Sequence, residues 1–208
     1  MTLIKICGIT SIADAIDCVN LGVNMLGFVF ADSPRRADVD TVKHIIRIVG
    51  GDAKTVGVFT EESDEVISIM NHCELDYAQL HGGQSEEFAQ KLGERRVIRA
   101  VRIKNEWSLE NLAQFKHASY YLLDTYRPGM PGGTGETFDW ELAVRAKEFG
   151  KPVIVSGGLN PENAARAIDL VQPYAIDAAS GVEKQPGVKD IIKVKELVEN
   201  VYSANHRA

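Results

Sequence analysis

The chain has 208 residues, of which 45% are hydrophobic and 25% are charged, and its net charge is −6 at pH 7. This composition excludes a disordered protein, which lacks the apolar content for a core, and the acidic balance argues against a nucleic-acid-binding surface, which would be basic. The chain has no apolar run near the roughly 18 residues that a membrane helix needs, and its first residues do not have the pattern of a signal peptide.

Eight short apolar runs, many of them rich in β-branched residues, recur along the chain, and we predict that each is a strand. In chain order they are Leu3–Cys7, Met25–Phe30, Thr55–Phe59, Tyr77–Leu80, Val97–Arg102, Tyr120–Asp124, Pro152–Val155 and Ala175–Ala179. Segments with helical periodicity separate these runs. Thr10 is predicted to cap the first helix. Further helices are predicted over Glu86–Leu92 after Ser85 and over Trp140–Phe149 after Asp139. Another helix is predicted to start at Asn160-Pro161, and the last to run from about Val188 to Tyr202.

Strand and helix alternate eight times, which predicts a parallel sheet that is buried on both faces. Units of about 25 residues suit a (β/α)8 barrel near its lower size limit. The alternative is an open doubly wound sheet, which usually carries a glycine fingerprint after its first strand. Here the glycine-rich turn follows the seventh strand instead. We therefore predict an α/β fold, a single (β/α)8 TIM barrel that forms one catalytic domain over residues 1–208.

The three cysteines, Cys7, Cys18 and Cys73, indicate a protein of a reducing compartment. Their number is odd and none lies in a CxxC motif, so neither a disulfide framework nor a zinc site is expected. We predict a cytoplasmic protein without a metal.

Two reactive side chains stand at the carboxyl ends of predicted strands, where TIM barrels place their active residues. Cys7 ends the first strand; it is either a buried small hydrophobe or a base or nucleophile activated by a nearby cation. Asp124 ends the sixth strand after an apolar run. It is either a turn or capping carboxylate or a general acid in the barrel mouth.

Glycine turns follow the last two strands. Ser156-Gly157-Gly158-Leu159 precedes a predicted helix start, and Ser180-Gly181 follows the eighth strand. These two segments are either only tight turns or a phosphate-binding site. The second alternative has a precedent, since loops after strands seven and eight bind phosphate in many barrels. Both turns fall at the expected strands, so we predict phosphate binding.

Five further polar positions are candidates for substrate contact. Gln79 and His81 lie at the end of the fourth strand, where the histidine is either structural or bonds a substrate hydroxyl. Asp177 lies within the eighth strand, and alternation points it into the barrel. Arg35 and Arg36 follow the second strand and are either solvated or available to form a fork with a carboxylate.

One long irregular stretch, Tyr126–Thr137, contains four glycines and two prolines. We predict that it moves over the site, as barrel loops often do.

In combination and in order, these motifs resemble the phosphoribosylanthranilate isomerase family of tryptophan biosynthesis over nearly the whole chain. The runs that carry the resemblance are Lys5-Ile-Cys-Gly-Ile-Thr10, Gly27-Phe-Val-Phe30, Ser33-Pro-Arg35, Val56-Gly-Val-Phe59, Gln79-Leu-His-Gly82, Leu122-Leu-Asp124, Gly133-Thr-Gly135, Phe138-Asp-Trp140, Ser156-Gly-Gly-Leu-Asn-Pro-Glu-Asn163, Asp177 and Ser180-Gly-Val-Glu183.

The resemblance implies an isomerase that acts on N-(5-phosphoribosyl)anthranilate by an Amadori rearrangement and uses no cofactor. Its product would be 1-(2-carboxyphenylamino)-1-deoxyribulose 5-phosphate. The family's base corresponds to Cys7, its acid to Asp124 and its anthranilate-contacting arginine to Arg35. The family's phosphate loops correspond to Gly157, Gly158, Ser180 and Gly181. We expect a monomer or homodimer with a phosphorylated small-molecule substrate and neither nucleic acid nor membrane as a partner.

Two alternatives belong to other classes. A histidine-pathway sugar-phosphate isomerase shares the Amadori chemistry but resembles a duplicated half-barrel with aspartates at strands one and five, whereas the first strand here ends in Cys7. A barrel that binds a phosphorylated ligand without catalysis would not need Cys7 and Asp124.

Overall fold

Eight parallel strands close into a barrel in the computed structural model of the protein, which describes residues 1–93, 96–125 and 137–207. Each strand pairs with the next along the chain, and the eighth closes on the first. The strands are β1 (Leu3–Cys7), β2 (Met25–Val29), β3 (Lys54–Phe59), β4 (Tyr77–Leu80), β5 (Val97–Ile103), β6 (Tyr120–Thr125), β7 (Val153–Val155) and β8 (Ala175–Ala178). The predicted (β/α)8 barrel is confirmed.

Helices follow the strands. They are α1 (Ile12–Asn20), α2 (Val39–Val49), α3 (Asp64–Cys73), α4 (Glu86–Leu92), α5 (Trp107–Glu110), α6 (Glu141–Ala146), α7 (Pro161–Val171) and α8 (Ile191–Asn205). None of the helices in the described ranges has the length and apolar character of a membrane span. The starts predicted at Glu86 and Pro161 are confirmed.

Two predicted helix starts are wrong, and tertiary contacts explain both. The Thr10 hydroxyl donates to the carbonyl of Gly187, and the neighbouring Ser11 caps α1 by accepting from Asp14 N–H. The last helix does not begin near Val188. Instead a hairpin forms there, in which β9 (Glu183–Gln185) pairs antiparallel with β10 (Val188–Lys189), and α8 begins after its cap Asp190.

The inside of the barrel follows the two-residue period of its strands. An apolar cluster fills the middle; its buried members are Met25, Val56, Ile98, Ala100, Leu122, Ile154 and Ala175. Two residues further along four of these strands, the same inward direction brings polar side chains to the carboxyl end. They are Arg102, Asp124, Ser156 and Asp177. The alternation that packs the barrel therefore also places its functional groups at one mouth.

Candidate functional site

A cavity of about 310 Å³ opens at the carboxyl ends of the strands. Of the predicted site residues, it brings together Cys7, Arg35, Gln79, His81, Asp124, Gly157, Gly158, Asp177 and Ser180. Gly181 lies just behind this lining, where a Cβ on it would overlap the Leu159 carbonyl oxygen. The loop that we predicted to move over the site falls on residues 126–136, outside the described residues.

Cys7 shares a buried pocket with two charges. Lys5, fully buried, lies two residues earlier on β1, and its Nζ is 2.9 Å from Asp177 Oδ1. A Cβ built on Gly27 would lie 2.7 Å from Cys7 Sγ and 3.1 Å from Lys5 Nζ, so only glycine leaves room for this arrangement. Ser156 Oγ donates to the other Asp177 oxygen at 3.2 Å.

Burial raises the pKa of the Cys7 thiol, since a thiolate is poorly solvated there. Lys5 opposes this effect, Asp177 adds to it, and Lys189 also opposes it. Burial alone would lower the pKa of Lys5, but the attraction of Asp177 and Cys7 outweighs it and the pKa is raised. The resting site thus holds a thiol next to an ammonium–carboxylate pair.

Asp124 and His81 form a second polar group across the mouth. Asp124 Oδ1 accepts from the N–H of Thr125 at 2.9 Å, and its Oδ2 lies 3.2 Å from His81 Nε2. That histidine nitrogen is buried and not aligned to donate to the carboxylate, so it makes no hydrogen bond within the described residues. Gln79 Nε2 lies 2.9 Å from His81 Nδ1, while the buried Gln79 Oε1 is also unpaired there. Two polar atoms thus remain available to a ligand.

The two glycine turns present unpaired backbone donors. The N–H groups of Gly157, Gly158, Ser180 and Gly181 donate no hydrogen bond to any residue that the structure describes. Gly157 has φ +85°, and a Cβ there would overlap the Thr125 hydroxyl and lie 2.9 Å from Asp124 Oδ1. Nearby, Asn160 and Asn163 cap α7 reciprocally, which fixes where that helix begins. Such a concave set of N–H groups suits an anion.

Arg35 and Arg36 point to different places, which the sequence could not decide. Arg35 lines the cavity, where Glu183 holds it through two parallel hydrogen bonds. Arg36 is exposed; its backbone pairs with Val29 in an isolated bridge, and its side chain lines a separate groove near α2 and α3. Of these two neighbouring arginines, Arg35 is therefore the one that reaches the cavity.

Sequence reasoning missed four charged groups of the site: Lys5, Arg102, Glu183 and Lys189. A lysine at an inward position of an apolar strand was a signal for Lys5. Arg102 is the next-to-last residue of β5, lines the cavity and pairs by register with Asp124. It has no ionic partner among the described side chains. Lys189 gave no signal, because its segment had the pattern of a helix.

Known proteins match this chain along nearly its whole length. A family model for N-(5'phosphoribosyl)anthranilate (PRA) isomerase matches residues 4–200. The N-(5'-phosphoribosyl)anthranilate isomerase of Geotalea uraniireducens is 45% identical over 201 residues, which cover 96% of this chain and 98% of that protein.

Two solved structures superpose closely. Monomers generated from the dimeric phosphoribosylanthranilate isomerase of Thermotoga maritima match with a TM-score of 0.87 at 35% identity, covering 98% of this chain and 100% of that one. A phosphoribosylanthranilate isomerase in complex with reduced 1-(o-carboxyphenylamino)-1-deoxyribulose 5-phosphate matches with the same score, identity and coverage.

Proposed function

Since this chain belongs to the N-(5'-phosphoribosyl)anthranilate isomerase family, we propose that its cavity carries out the family's rearrangement by general acid–base catalysis. The chain is an isomerase of tryptophan biosynthesis that acts on N-(5'-phosphoribosyl)anthranilate. The reaction is an Amadori rearrangement to 1-(2-carboxyphenylamino)-1-deoxyribulose 5-phosphate. One observation carries the mechanism: Cys7 and Asp124 line the same cavity as the glycine turns after β7 and β8.

The phosphate of the substrate binds at the two glycine turns in this proposal. The unpaired N–H groups of Gly157, Gly158, Ser180 and Gly181 donate to its oxygens, and the glycines allow close approach because no Cβ intervenes. An anchor at this end of a long substrate supplies positioning for the chemistry at the other strands.

Asp124 is the general acid in this mechanism. Its proton goes to the furanose ring oxygen, the C1–O bond breaks, and the nitrogen lone pair forms an iminium at C1. The backbone N–H of Thr125 fixes one carboxyl oxygen, so the other oxygen faces the substrate. The unpaired atoms of Gln79 and His81 are available to sugar hydroxyls next to it.

Cys7 is the base. The iminium acidifies the C2 hydrogen. Cys7, after losing its thiol proton to solvent, removes the C2 proton as a thiolate. The resulting enolamine takes a proton at C1 while its enol O–H loses one and becomes the ketone. A cationic iminium near Sγ favours the thiolate, as Lys5 already does. Asp177 holds Lys5 in place and is also close enough to the cavity to contact the sugar.

Arg35 binds the carboxylate of the anthranilate moiety in this proposal. Its guanidinium lines the cavity, and a planar fork suits a carboxylate. With an anchor at each end of the substrate, the reacting carbons are held between β1 and β6.

The isomerase activity is tested with substrate generated in situ. We expect purified protein, with neither metal nor cofactor added, to remove the anthranilate-type fluorescence rapidly, and the product to be confirmed by mass spectrometry and NMR. Tight binding of phosphorylated ligands without turnover would instead support a binding protein. Turnover of a histidine-pathway aminoaldose alone would support the rival isomerase.

Removing the negative charge of Asp177 is expected to make Cys7 titrate at lower pH. In wild type, the raised pKa means that thiolate forms only as pH rises above the ordinary thiol range. Asp177→Asn removes a neighbouring anion and leaves the thiolate as the partner of Lys5, so the pKa of Cys7 should fall. The measurement is the pH dependence of iodoacetamide alkylation in a Cys18→Ala, Cys73→Ala background.

Ser156→Ala is the matched control for this titration, because it removes a hydrogen bond to Asp177 but no charge. We expect it to leave the midpoint of alkylation nearly unchanged. An unchanged or higher midpoint in Asp177→Asn would contradict the described charge arrangement at Cys7.

The remaining proposals concern the whole protein. We propose that residues 1–208 form one catalytic domain, that the protein is cytoplasmic, and that it is a monomer or homodimer with neither nucleic acid nor membrane as a partner. The free state of Cys7, Cys18 and Cys73 supports a reducing compartment. The similar Thermotoga maritima enzyme, which is dimeric, makes a homodimer reasonable.

A further inference from the structure

Three charges meet beside the first strand and are named here the Glu183 cluster: Arg35, Glu183 and Lys189. Arg35 Nε lies 3.0 Å from both oxygens of Glu183, and Arg35 Nη2 lies 2.8 Å from Oε2. Lys189 Nζ donates to Glu183 Oε1 at 2.7 Å and to the Cys7 carbonyl at 2.6 Å. The cluster therefore connects the predicted carboxylate-binding arginine to the strand that carries the base.

The cluster is built into the fold rather than solvated. The side chains of Lys189, Glu183 and Arg35 are 0%, 3% and 17% exposed. Burial alone would raise the pKa of Glu183, but Arg35 and Lys189 outweigh it and lower the pKa, so the carboxylate stays ionised. A buried anion between two cations gives the cluster a net charge of +1, and Arg35 is its member that lines the cavity.

The hairpin of β9 and β10 holds Glu183 in place. The N–H of Gly187 donates to Glu183 Oε1 at 3.3 Å, and the Thr10 hydroxyl ties the hairpin to the loop after β1 at 2.6 Å. Arg35 crosses directly over Gly8, where a Cβ would lie 2.8 Å from Arg35 Cδ. The arginine stem is therefore confined from both sides.

The hydrogen-bond pattern leaves one edge of the guanidinium open. A guanidinium has five N–H donors, arranged as forks. Glu183 takes the edge formed by Nε and Nη2, whereas Nη1 has no acceptor among the described residues. The remaining edge, formed by Nη1 and the second Nη2 hydrogen, is a bidentate site for another carboxylate.

We propose that Glu183 is a positioning residue that aims the free edge of Arg35 at the carboxylate of the substrate, with Lys189 keeping Glu183 ionised. This inference rests on the proposed role of Arg35. The net charge of +1 complements one incoming carboxylate. Because the arginine is held before binding, less conformational freedom is lost when the carboxylate arrives. Glu183 therefore contributes to affinity for the anthranilate end without contacting it.

The test compares two ligands that differ only in that carboxylate. They are reduced 1-(2-carboxyphenylamino)-1-deoxyribulose 5-phosphate and its analogue with a phenylamino group. Dissociation constants are measured by calorimetry for wild type, Glu183→Gln, Arg35→Met and the double variant. Glu196→Gln, an exposed glutamate of α8, is the matched control.

We expect Glu183→Gln to raise the dissociation constant of the carboxylated ligand about tenfold, because a well-placed charged hydrogen bond is lost. The dissociation constant of the phenylamino ligand should change less than about twofold. In an Arg35→Met background, Glu183→Gln should weaken binding of the carboxylated ligand little further. In kinetics, KM should rise more than kcat falls. If Glu183→Gln does not fold, Glu183→Leu with Lys189→Met removes both buried charges, and the same selective loss is expected.

Equal weakening of both ligands would overturn the proposal, because Glu183 would then support only the fold. No weakening of either ligand would also overturn it. A third outcome is that Arg102→Met abolishes the preference of wild type for the carboxylated ligand and Arg35→Met does not. In that case both the Arg35 assignment and the Glu183 proposal fail. In each of these cases, turnover of the substrate by wild type would still support the isomerase function.

Discussion

Asp124→Asn is expected to lower kcat/KM by about 10²–10⁴-fold, the usual contribution of one general acid. The amide has nearly the same shape, and its oxygen still accepts from the Thr125 N–H that fixes Asp124 Oδ1. It has no acidic proton for the ring oxygen of the substrate. Ring opening is therefore slowed while the architecture of the mouth is kept. The measurement is the rate of fluorescence loss under single-turnover conditions.

Binding separates this effect from a structural one. Affinity of Asp124→Asn for the reduced product analogue should stay within about threefold of wild type, since the phosphate and carboxylate anchors are untouched. Asp38→Asn is the control: this exposed aspartate caps α2, and asparagine caps equally well. Full activity in Asp124→Asn would remove Asp124 from its assigned role, although the isomerase function would stand.

Cys7→Ser is expected to lower kcat by about 10²–10⁴-fold through loss of the proposed base. A hydroxyl is far less acidic than a thiol, so even beside Lys5 it does not ionise in the buried pocket between β1 and β8. Removal of the C2 proton then limits the rate. With substrate deuterated at C2, the variant should show a larger primary isotope effect than wild type.

Cys18→Ser is the matched control, because Cys18 is also a buried cysteine, on α1, outside the cavity. Its activity should remain close to wild type after correction for folded fraction. An undiminished turnover in Cys7→Ser, or an isotope effect identical to wild type at reduced turnover, would show that another group removes the C2 proton.

The sequence was sufficient for the barrel because its strands repeat one physical pattern. Buried parallel strands are apolar on both faces, and the inward set continues into polar residues at one end, as Leu122 leads to Asp124. Knowing that active residues lie at this end was then enough to name Cys7, Asp124 and the glycine turns as neighbours. The structure places them around one cavity.

The Glu183 cluster could not be predicted from strand patterns. Lys189 has the pattern of a surface lysine at a helix start, and only the pairing of β9 with β10 buries it against Glu183. Likewise, Thr10 and Ser11 are both good caps, and a partner 177 residues away in the chain decides between them. Adjacent Arg35 and Arg36 differ for the same reason. Contacts between residues far apart in the sequence determine the surroundings of these side chains, and local sequence patterns carry no information about such contacts.

The seam between β1 and β8 has a consequence for folding. Lys5 and Cys7 come from the first strand of the barrel, whereas Asp177 and the second glycine turn come from the last. The ammonium–carboxylate pair across this seam joins residues 172 positions apart. Contacts of such sequence separation carry a high loop-closure entropy, so we expect this pair to form late. The thiol then acquires the carboxylate neighbour Asp177 only when the cylinder closes, and recovery of catalysis during refolding should report that step.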